Sequence, residues 1–159
     1  MSDSFNPPRP NARLDGRVAI VAGAGSQSNS GLGNGRAAAI LLAEAGCSVV
    51  CADFNLDWAQ TTVDMITREF GSGGGRPRAV AVRMDVTKPE ECKRTVELAL
   101  EKFGRLDILV NNVGIGGTTG TAVDVDVGEW KKGMDVNVLG MVLMVKYAVP
   151  AMERNELPA

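Results

Sequence analysis

The sequence predicts an α/β domain built on a doubly wound parallel sheet, and three observations carry that prediction. Short apolar runs alternate with helix-forming segments along the chain. A glycine-rich stretch from Gly23 to Gly35 follows the first apolar run, Val18-Ala19-Ile20-Val21, and opens a helical segment. A second turn-forming run, Asn111-Asn112-Val113-Gly114, follows a later apolar run. Strands separated by helices return to the same end of the sheet by right-handed crossovers, so they lie parallel.

In chain order, Arg17 to Ala22 reads as the first strand. Gly33 to Ala45 is rich in Ala and Leu and reads as a helix, with Gly46 at the position where a left-handed terminator belongs. Ser48 to Ala52 is the second strand and Leu56 to Phe70 the second helix. The run Gly71-Ser72-Gly73-Gly74-Gly75, with Arg76 and Arg78 nearby, reads as a surface loop before a phosphate site. Ala79 to Met84 is the third strand. Thr87 is placed as the N-cap of a third helix, with Pro89 and Glu90 in its first turn and its end near Gly104. Glu90–Arg94 and Lys93–Glu97 fall at i,i+4 on a solvated face of that helix. Leu106 to Val110 is the fourth strand. A long helix from about Gly128 to Asn155, interrupted near Pro150, closes the pattern.

Composition narrows the function. A chain of 159 residues with 45% hydrophobic content supports one domain with a real core rather than two. Residues 1–13 read as a disordered tail and 14–159 as the folded unit. A net charge of −2 gives no attraction to phosphate backbones or anionic lipid, so nucleic-acid and membrane partners are not expected. The longest apolar run, Val138 to Val145, is short for a bilayer span. Histidine is absent, which removes imidazole acid–base chemistry, Ser-His triads and imidazole metal sites; no metal site is expected. Cys47, Cys51 and Cys92 have no C-x-x-C spacing and read as small buried hydrophobes, as suits a reducing, cytoplasmic compartment.

The two glycine-containing turns fall where the carboxyl ends of parallel strands meet, which is where such sheets bind a dinucleotide. In Gly23-Ala24-Gly25 and Gly31-Leu32-Gly33, glycine permits a tight turn, close approach of a pyrophosphate to the backbone, and close helix–strand packing. The helix opening near Gly33 directs free N–H groups and the positive end of its dipole at that site. Asp53 ends the second strand twenty positions beyond Gly33, where a carboxylate can accept ribose hydroxyls. Its charge repels a 2′-phosphate and Phe54 and Asn55 add no cation, so NAD is favoured over NADP. Asp85, followed by Val86, either reaches an adenine edge or caps the next helix; both readings stay open from the residues alone.

These motifs, with the segment Asp135-Val136-Asn137-Val138, resemble the short-chain dehydrogenase/reductase family over Leu14 to Met152. The Asn111-Asn112-Val113-Gly114 run carries most of the specificity, being close to the family's Asn-Asn-Ala-Gly. The resemblance implies a Rossmann-like fold and alcohol–ketone interconversion on a small-molecule substrate. It also implies that Gly23, Gly31, Leu32 and Gly33 line the pyrophosphate, that Asp53 holds the ribose, and that Asp85 and Val86 contact adenine. Asn111, Asn112, Val113 and Gly114 would brace the sheet and border the cofactor. Asn137 matches the asparagine of the family's catalytic tetrad, which positions a water in a proton relay. A buried side chain needing a partner is expected there, with its own helix backbone as the plain alternative.

The sequence departs from that family in three ways. Ala22 replaces the usual Thr or Ser before the first glycine. Gln27 to Ser30 lengthen the loop. The family's later Ser and Tyr-x-x-x-Lys do not occur; Tyr147, the only tyrosine, is followed four positions on by Ala151. The expectation is therefore a sheet incomplete at its carboxyl-terminal half, with coenzyme-binding residues but impaired turnover. It would have an exposed fourth strand and would self-associate through the long last helix. Trp130, Met134, Met141, Met144 and Met152 on that helix read as core or subunit contacts. Two other readings remain: a non-catalytic nucleotide-binding protein that pairs with a full-length relative, and a methyltransferase-like domain, which the Asn-Asn run disfavours.

Overall fold

The computed structural model describes residues 14–27, 32–71 and 77–155. The expected tail, Gly31, and the centre of the glycine-rich loop with Arg76 lie outside the described residues. The elements run β1 (Val18–Ala22), α1 (Asn34–Glu44), β2 (Ser48–Asp53), α2 (Leu56–Phe70), β3 (Ala79–Arg83), α3 (Pro89–Phe103) and β4 (Ile108–Asn111). A final helix follows as α4 (Val127–Met134), a π-helical turn (Asp135–Leu139) and α5 (Gly140–Met152). All strand pairs are parallel, in the order β3-β2-β1-β4.

The apolar strand residues divide between two faces, as alternation along a strand requires. Val18, Ile20 and Ala22 of β1 join Val50, Ala52, Cys92, Val96, Met144 and Ala148 under α3 and α5. Val21, Val49 and Cys51 join Ala39, Ala43, Ala59 and Ile66 under α1 and α2. Helices cover both faces, and the nearly continuous apolar reading of β1 and β2 follows from that double burial. The three cysteines are buried and unpaired, and burial pushes their thiols up to about 11 for Cys47 and Cys92 and about 12 for Cys51.

Several local expectations need correction. Thr87 does not cap α3. Lys88 occupies the cap position, and Thr87 instead gives both its N–H and its hydroxyl to Asp85 Oδ1, at 2.9 and 2.7 Å. The chain turns through Asp85 before Pro89 starts the helix. Of the two i,i+4 pairs, only Lys93–Glu97 closes among the described residues, at 3.8 Å and exposed. Arg78, read as flanking a surface loop, donates from Nη1 to Gly46 O at 2.8 Å, at the amino end of the sheet. The last helix is not interrupted at Pro150, because a proline this near the end removes one N–H with only a short stretch of helix left beyond it. Its irregularity is the π turn, where Gly140 N–H reaches back to Asp135 O. The whole element, Val127–Met152, is long and apolar enough by length and composition to cross a bilayer, which the short apolar run had not suggested. Here Leu143, Met144, Ala148 and Ala151 of that helix are buried in the protein core.

At the amino end of the sheet, one carboxylate joins β1 to β4. Asp107 accepts from Arg105 Nε and Nη2 at 2.8 and 2.6 Å, from Arg17 Nη1 at 2.7 Å, and from Val18 N–H at 2.9 Å. Its side chain is only 6% exposed. Burial by itself raises its pKa, but the bonds from Arg105, Arg17 and Val18 outweigh that and hold it below the usual aspartate range. A folded-state pKa below the unfolded value contributes stability that is present above about pH 4 and lost as the pH falls through the folded pKa. Asp107→Asn is expected to cost about 2 kcal/mol at pH 7 and less at pH 3. Urea denaturation at the two pH values measures this, and an equal cost at both would refute it.

Candidate functional site

The carboxyl ends of the four strands converge on the backbone of the glycine loop. Gly23 leaves β1 with φ +82°, a left-handed conformation that favours glycine, and its N–H and that of Ala24 both reach Ala52 O of β2, at 2.8 and 3.0 Å. Its carbonyl accepts from Asn112 Nδ2 at 3.0 Å, while Asn112 N–H reaches Ala22 O at 2.9 Å. A methyl group at Gly35, in the first turn of α1, would be driven into that same Gly23 oxygen and would lie 2.6 Å from Asn112 Nδ2. At Gly33 a methyl would be in ordinary contact with Ser26, at 3.5 Å, and Gly25 O, at 3.6 Å. The close helix–strand crossing therefore falls at Gly35, two residues beyond Gly33.

Gly33 is the N-cap of α1 and offers no side-chain cap, and no acidic residue lies in the first turn. The positive end of the helix is thus turned to the loop without a side-chain carboxylate of its own, as suits a bound anion. Leu32 beside it is 69% exposed. Behind the loop, Arg36 is fully buried and its Nε donates to Thr62 Oγ1 at 3.1 Å; that hydroxyl lies 2.8 Å from Ala24 O. No motif in the sequence singles out Arg36 for this support.

Asp53 is buried rather than an exposed turn residue, at 9% exposure. Its carboxylate accepts from Gly25 N–H at 2.9 Å and Asn55 N–H at 3.0 Å. A methyl at Gly25 would lie 2.8 Å from Asp53 Oδ2 and 2.6 Å from Trp58 Cβ, so glycine is required for this approach. A carboxylate has about four lone-pair sites, so two acceptor positions remain. Those positions, the glycine cradle and the uncapped helix start together fit a dinucleotide.

Asp85 begins the turn after β3 and does not cap α3: its Oδ1 holds Thr87, and its backbone N–H donates to Glu91 Oε2 at 2.8 Å. Burial raises its pKa, and the two Thr87 bonds with Lys88 and Arg83 nearby bring it below the usual range. The Val86 side chain packs inward, where a methyl at Gly140 would lie 2.7 Å from its Cγ2. Asn111 pairs with Ala22 at the end of β4. The Val113 backbone lies against Gly23, and a methyl at Gly114 would lie 3.7 Å from Asn137 Oδ1. Asn137 is half-buried rather than buried and does not bond its own helix. It clamps one residue of the loop after β4 on both sides, accepting from Ile115 N–H at 2.8 Å and donating to Ile115 O at 2.9 Å.

Residues 25–157 match the family model described as Enoyl-(Acyl carrier protein) reductase. The chain is 40% identical over 141 residues to trans-4-hydroxycyclohexanecarboxylate dehydrogenase of Sinomonas cyclohexanicum, covering 89% of this chain and 52% of that protein. A structure described as a short-chain dehydrogenase/reductase from Burkholderia xenovorans superposes with TM-score 0.80 at 36% identity, over 90% of this chain and 53% of that one. A 7 alpha-hydroxysteroid dehydrogenase complexed with NADH and 7-oxo glycochenodeoxycholic acid superposes with TM-score 0.77 at 36% identity, over 91% of this chain and 51% of that one. The chain spans about half the length of these relatives.

The two glycines of the helix start separate cleanly by substitution. Gly35→Ala is expected to destabilise by about 3 kcal/mol, although alanine is normally the better helix former, because the added methyl displaces the loop. Gly33→Ala should stay within about 1 kcal/mol, the scale of an N-cap change. Chemical denaturation of both variants checks the order, and a reversed order refutes the crossing described above.

Proposed function

The chain belongs to the short-chain dehydrogenase/reductase family, and from that membership we propose that residues 14–159 form the NAD-binding part of an oxidoreductase. The reaction would interconvert a secondary alcohol and a ketone on a small molecule, of the class that the cyclohexane- and hydroxysteroid-directed relatives act on. The observation that carries the reading is the meeting of β1, α1 and the Asn111–Gly114 run on the single Gly23 carbonyl, with Asp53 held beside it.

A bound nicotinamide coenzyme would supply the hydride chemistry. Gly23, Leu32 and Gly33, with Gly31 from the adjoining loop, approach the pyrophosphate, whose charge meets the start of α1. Asp53 accepts the ribose hydroxyls with its two remaining acceptor positions and repels a 2′-phosphate, which favours NAD over NADP. Asp85 presents its edge to adenine. Val86 contributes backbone, since its side chain is buried. Asn111 to Gly114 form the wall along the coenzyme. Asn137 uses two of its four hydrogen-bonding positions on Ile115, and the other donor and acceptor can hold a relay water.

Exchange of the substrate's oxygen-bound proton needs an acid–base group of suitable pKa. No Tyr-x-x-x-Lys occurs in the 159 residues. The polypeptide alone is therefore expected to bind coenzyme without turning over alcohol. Trp130, Met134, Val138, Met141, Val145 and Val149 are exposed along the last helix, and Trp130 borders an apolar depression lined by Ala122, Val125 and Val127. Through this face the chain would self-associate or pair with a full-length relative, in the reducing cytoplasm that the free thiols suit.

Isothermal titration is expected to show NADH binding by the polypeptide, with Asp53→Ala weakening it at least about tenfold, the scale of a lost charge-assisted hydrogen bond. In the same preparation, cyclohexanol and hydroxysteroid oxidation should stay at background. Absence of NADH binding by a folded sample overturns the dinucleotide reading. Clear turnover overturns the proposal that catalysis needs groups outside these residues.

A further inference from the structure

The coenzyme preference read from Asp53 in the sequence rested on the absence of a cation close by. The fold supplies one. Arg83 is the register partner of Asp53 across the β2–β3 pair, and Met84 N–H reaches Asp53 O at 2.8 Å. The Arg83 guanidinium stands 5.0 Å from the centroid of the Phe54 ring, on the residue that follows Asp53. A cation at that place would ordinarily attract a phosphate on the ribose.

It is already engaged. Arg83 Nη1 lies 3.0 and 3.2 Å from the two carboxylate oxygens of Glu91, in the first turn of α3. Glu91 sits where the helix dipole favours an acidic side chain, and its Oε2 also accepts Asp85 N–H at 2.8 Å. The carboxylate is also held by the Asp85 N–H and is 18% exposed, whereas Arg83 is 50% exposed. Glu91 is thus the fixed partner and Arg83 the one able to swing.

We propose that Glu91 is a specificity-determining residue, which holds Arg83 neutralised against Phe54 and so denies a 2′-phosphate the cation registered beside Asp53. The inference rests on the dinucleotide reading above and adds a second determinant to Asp53. Glu91→Gln removes the negative charge while leaving an amide oxygen for Asp85 N–H, so it releases the charge of Arg83 with little change to the turn. Ion pairs this exposed have modest strength, which sets the scale of the effect at about fivefold.

The test is equilibrium titration of NADH and NADPH, at low and high salt, with the unaltered polypeptide, Glu91→Gln, Arg83→Gln and the double variant. Glu91→Gln should bind NADPH about fivefold more tightly, with NADH affinity held within about twofold. The gain should shrink at high salt and vanish in the double variant, because it depends on the charge of Arg83. Arg83→Gln alone should leave the preference of the unaltered protein in place. If NADH binds the unaltered protein but Glu91→Gln moves both coenzymes equally, or neither, Glu91 only braces the turn and the proposal is overturned. If the unaltered protein binds neither coenzyme, the dinucleotide reading itself falls.

Discussion

The carboxyl edge of this sheet depends on how closely α1 crosses the end of β1. Gly35 brings the helix against Gly23 O so tightly that no side chain fits, and Asn112 places its amide on the same oxygen from the end of β4. One carbonyl therefore sets the spacing between a helix and two strands. Displacing it would move Gly25 as well, whose N–H is bonded to Asp53. The loop is thereby fixed by contacts among protein groups, and a ligand would meet a surface already in shape. Such preorganisation explains why the glycines cluster here, where bulk rather than flexibility is the constraint.

The fold was largely legible in the sequence because its signals are local. Apolar runs bounded by glycine or helix formers located β1 to β4, and Leu56–Phe70 was placed at both ends as found. Gly46 and Gly104 ended their helices with positive φ, as terminators do. What escaped depends on partners distant in the chain. Thr87 looked like a cap because Ser and Thr usually are caps, yet Asp85 two residues earlier captured it. The π turn is invisible to a periodicity argument, since adding one residue to a turn changes no composition; only the bond from Gly140 to Asp135 defines it.

The candidate site divides in the same way. Motif spacing located the loop, Asp53 and Asn112, which form a contiguous group. It gave close helix packing as a reason for the loop glycines as a group and did not single out Gly35, since spacing says which residues are small and not which ones touch. Arg83 and Glu91 carry no motif at all. Arg83 meets both Phe54 and Glu91 only because parallel register sets it beside Asp53 while α3 returns across the end of β3. Asn137 was expected to be buried. It is half-buried and bonded to Ile115, a partner twenty-two residues away that no pattern within its own helix could name.

The two low-exposure aspartates at opposite ends of the sheet show how environment separates structure from recognition. Asp107 is met by two guanidinium groups and one N–H, so its charge is cancelled where it stands and its bonds serve to tie β1 to β4. Asp53 is held by two backbone N–H groups, which orient the carboxylate and lower the cost of burying it without adding a full positive charge. An anion held by dipoles keeps its charge available to whatever approaches, whereas an anion held by cations does not. The same logic explains why Arg83 matters at that end. A positive side chain beside Asp53 would turn the second kind of site toward the first, and the carboxylate of Glu91 keeps that charge occupied.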